Sequence, residues 1–264
     1  MGFVDTHAHL DDDQFSGDLD AVLERARGAG VTRIVNIGYR PARWSTTLRL
    51  AQHCPLVSFT LGLHPHHADE WNLETRAQLE TLLDSTGAVA LGEIGIDRYR
   101  DRVSLAVQRN VFDAQLQLAS QKGLPVVIHQ RAAEAEVLKC LEGTPRNLCC
   151  VFHSFEGSSR MAEFGLDRGY YFGVGGLVTR QRSTELRDVL ATIPLDRVLL
   201  ETDSPYLVPA GVKNRRNEPA NLPRIAEWLA ELRAVPVTEI QRATTLNAES
   251  VFGLLAQAER SRTR

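Results

Sequence analysis

The string Asp5-Thr6-His7-Ala8-His9-Leu10 ends a short apolar run near the start of the chain. In extended backbone the side chains at i and i+2 share a face, so His7 and His9 can aim both imidazoles at one point. Two neutral imidazoles that converge are half of a metal site. The pair alone fits polar residues at a strand end equally well, so its meaning depends on partners elsewhere. Glu93 lies in Gly92-Glu93-Ile94-Gly95-Ile96-Asp97, His129 ends Val126-Val127-Ile128-His129, and His153 ends Val151-Phe152-His153. Asp203 follows Leu199-Leu200-Glu201-Thr202, and His64 follows Gly62-Leu63. Each has an ordinary structural reading: a hydrogen-bonded strand-end histidine, or a turn aspartate before Ser204-Pro205. Glu93 resists that reading, because an unpaired carboxylate within an apolar strand is costly. Chemistry requires that all of them meet.

The elements that must bring them together alternate along the chain. Apolar, β-branched runs predict strands over Phe3–Thr6, Arg33–Ile37, Val57–Leu61, Val89–Ile94, Pro125–His129, Leu148–His153, Tyr170–Val174 and Arg197–Glu201. Helical patterns fall between them at Leu19–Ala29, Ala42–Gln52, Glu74–Asp84, Val107–Gln121, Ala133–Leu141, Ser159–Arg168 and Thr184–Ala191, then at Leu222–Leu232. A last helical pair is expected around Val237–Arg242 and Ala248–Ala256. Glycines at Gly28-Ala29-Gly30, Lys122-Gly123 and Arg168-Gly169 mark helix-to-strand joints. Eight such repeats in about 250 residues is the count of a (β/α)8 TIM barrel, whose functional side chains sit at the C-terminal ends of the strands. An open doubly wound sheet fits less well, since no Gly-rich dinucleotide turn is present. With no linker or low-complexity stretch, residues 1–264 read as one slightly distorted barrel domain.

Composition narrows the partners. With 264 residues, 43% apolar and 24% charged, the chain has the make-up of a soluble globular protein, and no run approaches the ~18 apolar residues of a membrane helix. Asp5 and two histidines stand where a signal peptide would be basic and apolar. Cys54, Cys140, Cys149 and Cys150 form no CxxC pair or disulfide framework, which points to the reducing cytoplasm. A net charge of −3 excludes a general footprint for duplex nucleic acid, while leaving room for a local basic mouth. Nothing resembles a dimerisation segment, and a monomer is expected.

Under the barrel reading, His7, His9, Glu93, His129, His153 and Asp203 come to the same end of five strands. Four histidines and two carboxylates exceed what one four-coordinate ion needs, so the set divides between two ions. Glu93 is the candidate bridge, because strand four lies between the two ligand groups. An ion held there lowers the pKa of a bound water to about 7. Asp203 is placed to orient that water and accept its proton, which makes Glu93 and Asp203 the candidate catalytic pair. A nitrogen and oxygen donor set without thiolate admits Mg2+, Mn2+ or Zn2+.

The strings DTHAHL, GLHPHHA, GEIGID, PVVIHQR, HSFEG, ETDSPYL and RNEPANLP, with TTLNAESVFGL near the C-terminus, together resemble the TatD family of metal-dependent deoxyribonucleases. That family is part of the wider amidohydrolase-like barrel group. The resemblance implies a barrel phosphodiesterase acting on DNA with one or two divalent metals. It implies one metal on His7, His9 and Asp203, a second on His129 and His153, and Glu93 shared. It also implies that His64, Arg131 and the Arg216-Asn217-Glu218-Pro219 loop lie near the substrate phosphate, where Asn217 and Glu218 could equally be a plain turn and cap. Ser154 and Glu156 depart from the commoner HCFSG loop, and Arg98 stands where an aromatic is more usual, so substrate choice is where this chain can differ.

Arg98, Arg100, Arg102, Arg131, Arg180, Arg182, Lys213, Arg215 and Arg216 all follow strands, and guanidinium forks match phosphate oxygens. Asp11-Asp12-Asp13 and Asp69-Glu70 oppose them on the same face. The expectation is a restricted basic site for a single-stranded or frayed DNA end, cleaved as an exonuclease would. The same centre could attack a carbonyl, as in an amide hydrolase or a D-aminoacyl-tRNA deacylase. Glu93 occupies the strand-four position at which several amidohydrolases carry a modified lysine, which disfavours the cyclic-amide version. A metal-stabilised scaffold without turnover is a third reading, disfavoured by the complete ligand set.

Overall fold

The structure is a computed structural model that describes residues 2–100 and 102–254. Its strands are β1 (Phe3–Ala8), β2 (Val31–Gly38), β3 (Val57–Leu61), β4 (Ala90–Asp97), β5 (Val126–Arg131), β6 (Cys150–Phe152), β7 (Tyr171–Val174) and β8 (Val198–Leu200). They run parallel and pair in chain order within one eight-stranded sheet. The intervening helices are α1 (Leu19–Gly28), α2 (Pro41–His53), α3 (Leu73–Ser85), α4 (Leu105–Lys122), α5 (Glu134–Glu142), α6 (Ser159–Asp167) and α7 (Thr184–Leu190). After β8 come α8 (Leu222–Arg233) and α9 (Val237–Phe252). This is the (β/α)8 barrel.

The ring closes between β1 and β8 through a short seam, and the seam is where the distortion lies. Ala8 and Ser204 form an isolated parallel bridge. Beside it, Asp203 N donates to His7 O at 2.9 Å and His9 N to Ser204 O at 2.7 Å. Side chains supply bonds that a longer ladder would make. The Asp5 carboxylate accepts from Thr202 N (2.9 Å) and Thr202 Oγ1 (2.6 Å), and Thr6 Oγ1 donates to Leu200 O. The seam therefore sets His7, His9 and Asp203 side by side through backbone hydrogen bonds.

The larger core cluster joins strand residues such as Ile34, Leu61, Ile128 and Phe172 to helix residues such as Trp44, Leu79, Phe112 and Val137. In a second cluster Val4, Val35, Val127 and Leu199 meet Ala248 and Phe252 of α9. Thr245 Oγ1 of α9 donates to Gly2 O, and Asn247 Nδ2 donates to Leu195 O and Val198 O. These acceptors lie at or before the N-terminal ends of the strands, so α9 covers that end and the opposite end faces the chemistry.

Two expectations are corrected. The final helical pair is one continuous helix, because Thr244, β-branched and polar, bonds back to Ile240 O instead of breaking the helix, and its neighbours anchor the barrel floor. The end of that expectation, Ala256, lies outside the described residues. β4 runs to Asp97, beyond the expected Ile94, while β6 and β8 are shorter than expected, so His153 and Glu201 fall just past their strands. No helix among the described residues is long and apolar enough to cross a membrane.

Candidate metal-binding active site

Glu93 is the hub of the strand ends. Its Oε1 lies 2.6 Å from His129 Nδ1, 3.8 Å from His153 Nε2 and 3.8 Å from His64 Nε2. Its Oε2 lies 3.4 Å from His7 Nε2. Asp203 Oδ1 extends the cluster, at 3.3 Å from His9 Nε2, 3.8 Å from His7 Nε2 and 3.9 Å from His153 Nε2. The structure thus brings together all six residues expected as ligands, with His64 beside them. Three groupings have donor atoms close enough to share one ion: His7, His9 and Glu93; His7, His153 and Asp203; and His64, Glu93 and His129.

The local sequence makes this possible. Gly95 lies on the β4–β5 ladder opposite His129, and a Cβ there would run into the His129 backbone carbonyl. Gly173 leaves the space that the Glu201 carboxylate fills. Buried glutamines of α4 hold the loops: Gln115 bonds both backbone groups of Leu63, and Gln108 bonds both backbone groups of Asp97. Asp203 adopts a left-handed backbone (φ 55°), a conformation that aspartate tolerates better than most residues.

Burial alone would raise the Glu93 carboxyl, but the charge of His153 above all, with the surrounding imidazoles and the His129 hydrogen bond, holds it well below the carboxylate range. Asp203 is lowered in the same way by His9, His153 and His7, against its burial. Burial and the neighbouring His153 push His7 down, and burial with His129 pushes His64 down further, so both favour the neutral, ligand-competent form. His153 is the opposite case: Glu201 and Glu93 overcome its burial and lift it to about 10. The His7 and His153 rings stack at 3.4 Å and 16°, a spacing that two imidazolium charges would not share. His129, bonded by Glu93 at Nδ1 and by Asp97 at Nε2 (3.1 Å), rises to about 9 despite burial.

Both ring nitrogens of His7 and Nδ1 of His9 are buried without a hydrogen-bond partner. Native interiors rarely leave such atoms unsatisfied, and a divalent cation at this point would satisfy them. The donors are imidazole and carboxylate, which fits a divalent cation with nitrogen and oxygen preference.

Sequence reasoning missed a ring of carboxylates behind the histidines. Glu201 Oε1 lies 2.9 Å from His153 Nδ1 and accepts from Ser154 N at 2.6 Å. Asp97 Oδ2 meets His129 Nε2 and also His66 Nε2, the latter at 2.9 Å. Asp5 ties β1 to Thr202, and burial raises its carboxyl to about 7. A signal was present: Asp5, Glu201 and Asp97 sit two or four residues from His7, Asp203 and Glu93, the spacing of one strand face.

The loop carrying Arg216 and Asn217 is tied into the protein by its own contacts. Arg216 donates to Asp18 Oδ1 and Oδ2 (2.7 Å each), Glu218 Oε1 (2.8 Å) and Gln14 O, and lies over the Phe15 ring. Asn217 is fully buried, donates to Thr202 O and accepts from Glu218 N. Glu218 makes no side-chain cap and pairs with Arg25 and Arg216. Arg98 is held by Glu136. Arg131, by contrast, stacks on Tyr99 and makes no ion pair among the described residues.

A barrel with histidines and carboxylates converging at its C-terminal strand ends defines the architecture of a metal-dependent hydrolase. The family model described as "TatD related DNase" matches residues 4–253, and the chain belongs to that family. It is 39% identical over 257 residues to the "3'-5' ssDNA/RNA exonuclease TatD" of Erwinia amylovora, covering 95% of this chain and 99% of the relative. It is 34% identical over 249 residues to the "uncharacterized metal-dependent hydrolase YabD" of Bacillus subtilis, covering 94% of this chain and 98% of the relative. The crystal structure of YjjV, a TatD homolog from Escherichia coli, superposes with a TM-score of 0.89 at 36% identity, covering 95% of this chain and 98% of that one.

Proposed function

We propose that this protein is a divalent-metal-dependent exonuclease that hydrolyses phosphodiester bonds at the end of single-stranded DNA. The observation that carries the reading is the buried cluster in which Glu93 stands within 4 Å of four imidazoles while His7 and His9 keep unpartnered nitrogens. The Erwinia relative's name supports a single-stranded nucleic acid, and RNA stands beside DNA as a substrate on that ground. The chain's net charge of −3 favours a strand end over long duplex. The four free cysteines suit a reducing cytoplasm, and a single-domain monomer is part of the reading.

His7, His9 and Asp203 would hold one ion and His129 and His153 a second, with Glu93 available to both. Such ions supply an activated water and positive charge at the phosphoryl oxygens, and Mg2+, Mn2+ and Zn2+ all fit the donors. Glu93 neutralises the site's positive charge. Asp203, ionised and at the rim of the cluster, accepts the proton of the attacking water. Glu201 orients His153, and Asp97 orients His129. His64 donates a hydrogen bond to a phosphoryl oxygen, and Arg131 contributes its guanidinium edge.

The test is digestion of 5'- and 3'-labelled single-stranded DNA and RNA by protein reloaded with each of the three metals, with His129→Ala as control. Shortening from one end that requires metal and His129 supports the reading. Equal degradation by the variant refutes it. Turnover only of a D-aminoacyl-tRNA or a simple lactone moves the same centre to carbonyl chemistry.

A further inference from the structure

We propose that Tyr99, backed by Arg131, is a platform on which the terminal nucleobase of the bound strand stacks; this rests on the nucleic-acid reading above. Tyr99 lies two residues past β4, and 66% of it is exposed. It joins no hydrophobic cluster, so the fold gains little from an aromatic there. The mounting is nevertheless rigid. Tyr99 N and Arg100 N both donate to Asp97 Oδ1, at 2.8 and 2.9 Å, while the other oxygen of Asp97 meets His129 and His66. The backbone that carries the ring is therefore tied, through one buried carboxylate, to the cluster that would cut the strand.

Arg131 pairs with Asp97 across the β4–β5 ladder, and its Cζ sits 3.9 Å from the Tyr99 ring centroid. One face of the ring is covered by a flat cation, and the exposure of the residue leaves the other face to solvent. Every nucleobase presents a π-face, so a base completes this stack whatever its identity, in DNA or RNA. The guanidinium makes no salt bridge among the described residues, although Glu156 feels its charge, so its edge can still meet the phosphate of the same nucleotide. Tyr206, the other exposed tyrosine, is differently engaged: its hydroxyl donates to Asp12, and its ring meets His9 edge-on at 5.6 Å.

The experiment compares binding of a fluorescent single-stranded hexanucleotide, and of the same strand with abasic terminal nucleotides, in chelator so that turnover is absent. Wild type is expected to bind the abasic strand about tenfold more weakly. Tyr99→Ala should lose the same factor on the complete strand and be indifferent to the missing base, while Tyr99→Phe keeps wild-type behaviour. With metal restored, Tyr99→Ala should raise KM about tenfold and leave kcat within about twofold. Equal binding of the two strands by wild type, or a Tyr99→Phe variant as weak as Tyr99→Ala, overturns the platform. So does a Tyr99→Ala loss of equal size on both strands, which would mean a structural role. Base-dependent binding without any cleavage would instead count against the proposed exonuclease and leave the platform standing.

Discussion

Two charged regions of the molecule are built on opposite principles. In the first, Arg25, Asp18, Arg216 and Glu218 form a latch whose charges are matched: Arg216 grips Asp18 at 2.7 Å through both oxygens, and Glu218 takes bonds from Arg25 and Arg216. In the second, around Glu93, buried imidazole nitrogens remain without partners. Both are rich in ionisable groups, but only the first is fully paired. A matched network fixes a loop, whereas an unmatched one is organised for something that arrives. From sequence both regions read as functional, and only the hydrogen bonds separate them.

The contrast can be broken at either region, and the largest effect is expected at the hub. Glu93→Gln should lower kcat by about a thousandfold or more, together with metal content, because it removes the shared anion. Activity near wild type with full metal occupancy would show that the hub is not catalytic. Gly95→Ala should destabilise the fold by roughly 2–4 kcal/mol, since the new methyl meets the His129 carbonyl. Thermal unfolding measures it, and an unchanged Tm would mean the two strands can part.

His64→Ala sharpens the boundary of the cluster. As a substrate contact it should raise KM by about tenfold with metal stoichiometry unchanged. Loss of one bound ion per chain would instead move His64 into the ligand set, as its grouping with Glu93 and His129 allows.

Arg216→Ala is expected to leave KM within about twofold, since the latch holds a loop and does not grip substrate. Its signature is acid sensitivity. Arg216 holds the Asp18 carboxyl down at about 2, and Glu218 is lowered by Arg25 and Arg216 against its partial burial. Groups depressed on folding stabilise the protein above their unfolded pKa near 4 and lose that contribution as pH falls toward 2. Wild-type Tm should therefore drop between about pH 4 and 2, with a shallower drop in the variant. Parallel profiles would remove the latch from the account.

Much of this was readable in the chain because the barrel repeats one local rule. Apolar runs ending in histidine or carboxylate gave the strands and their functional ends together, and the glycine joints at Gly123 and Gly169 adopt the left-handed backbone such stops require. The last helix was expected as two; Thr244 bonds back within the helix, and Thr245 and Asn247 spend their polar groups on tertiary bonds to the barrel floor, so one helix runs through. A sequence shows that Arg216 is present, not that Asp18 and Glu218 already hold it. Asp97 and Glu201 were overlooked for the converse reason, since a carboxylate inside a strand declares its role only when the imidazole behind it is located.

Gly173 carries a consequence for variation. The volume its missing side chain leaves is occupied by the carboxylate of Glu201, which approaches from the adjacent strand to reach His153. The two positions therefore share one allotment of space across the β7–β8 pair. Among relatives that keep this geometry, a larger residue at 173 should appear only with a shorter one at 201, and never beside a glutamate. In stability, substitutions there should be non-additive: a larger residue at 173 should cost less beside a shortened 201 than beside glutamate, although the His153 contact is lost either way.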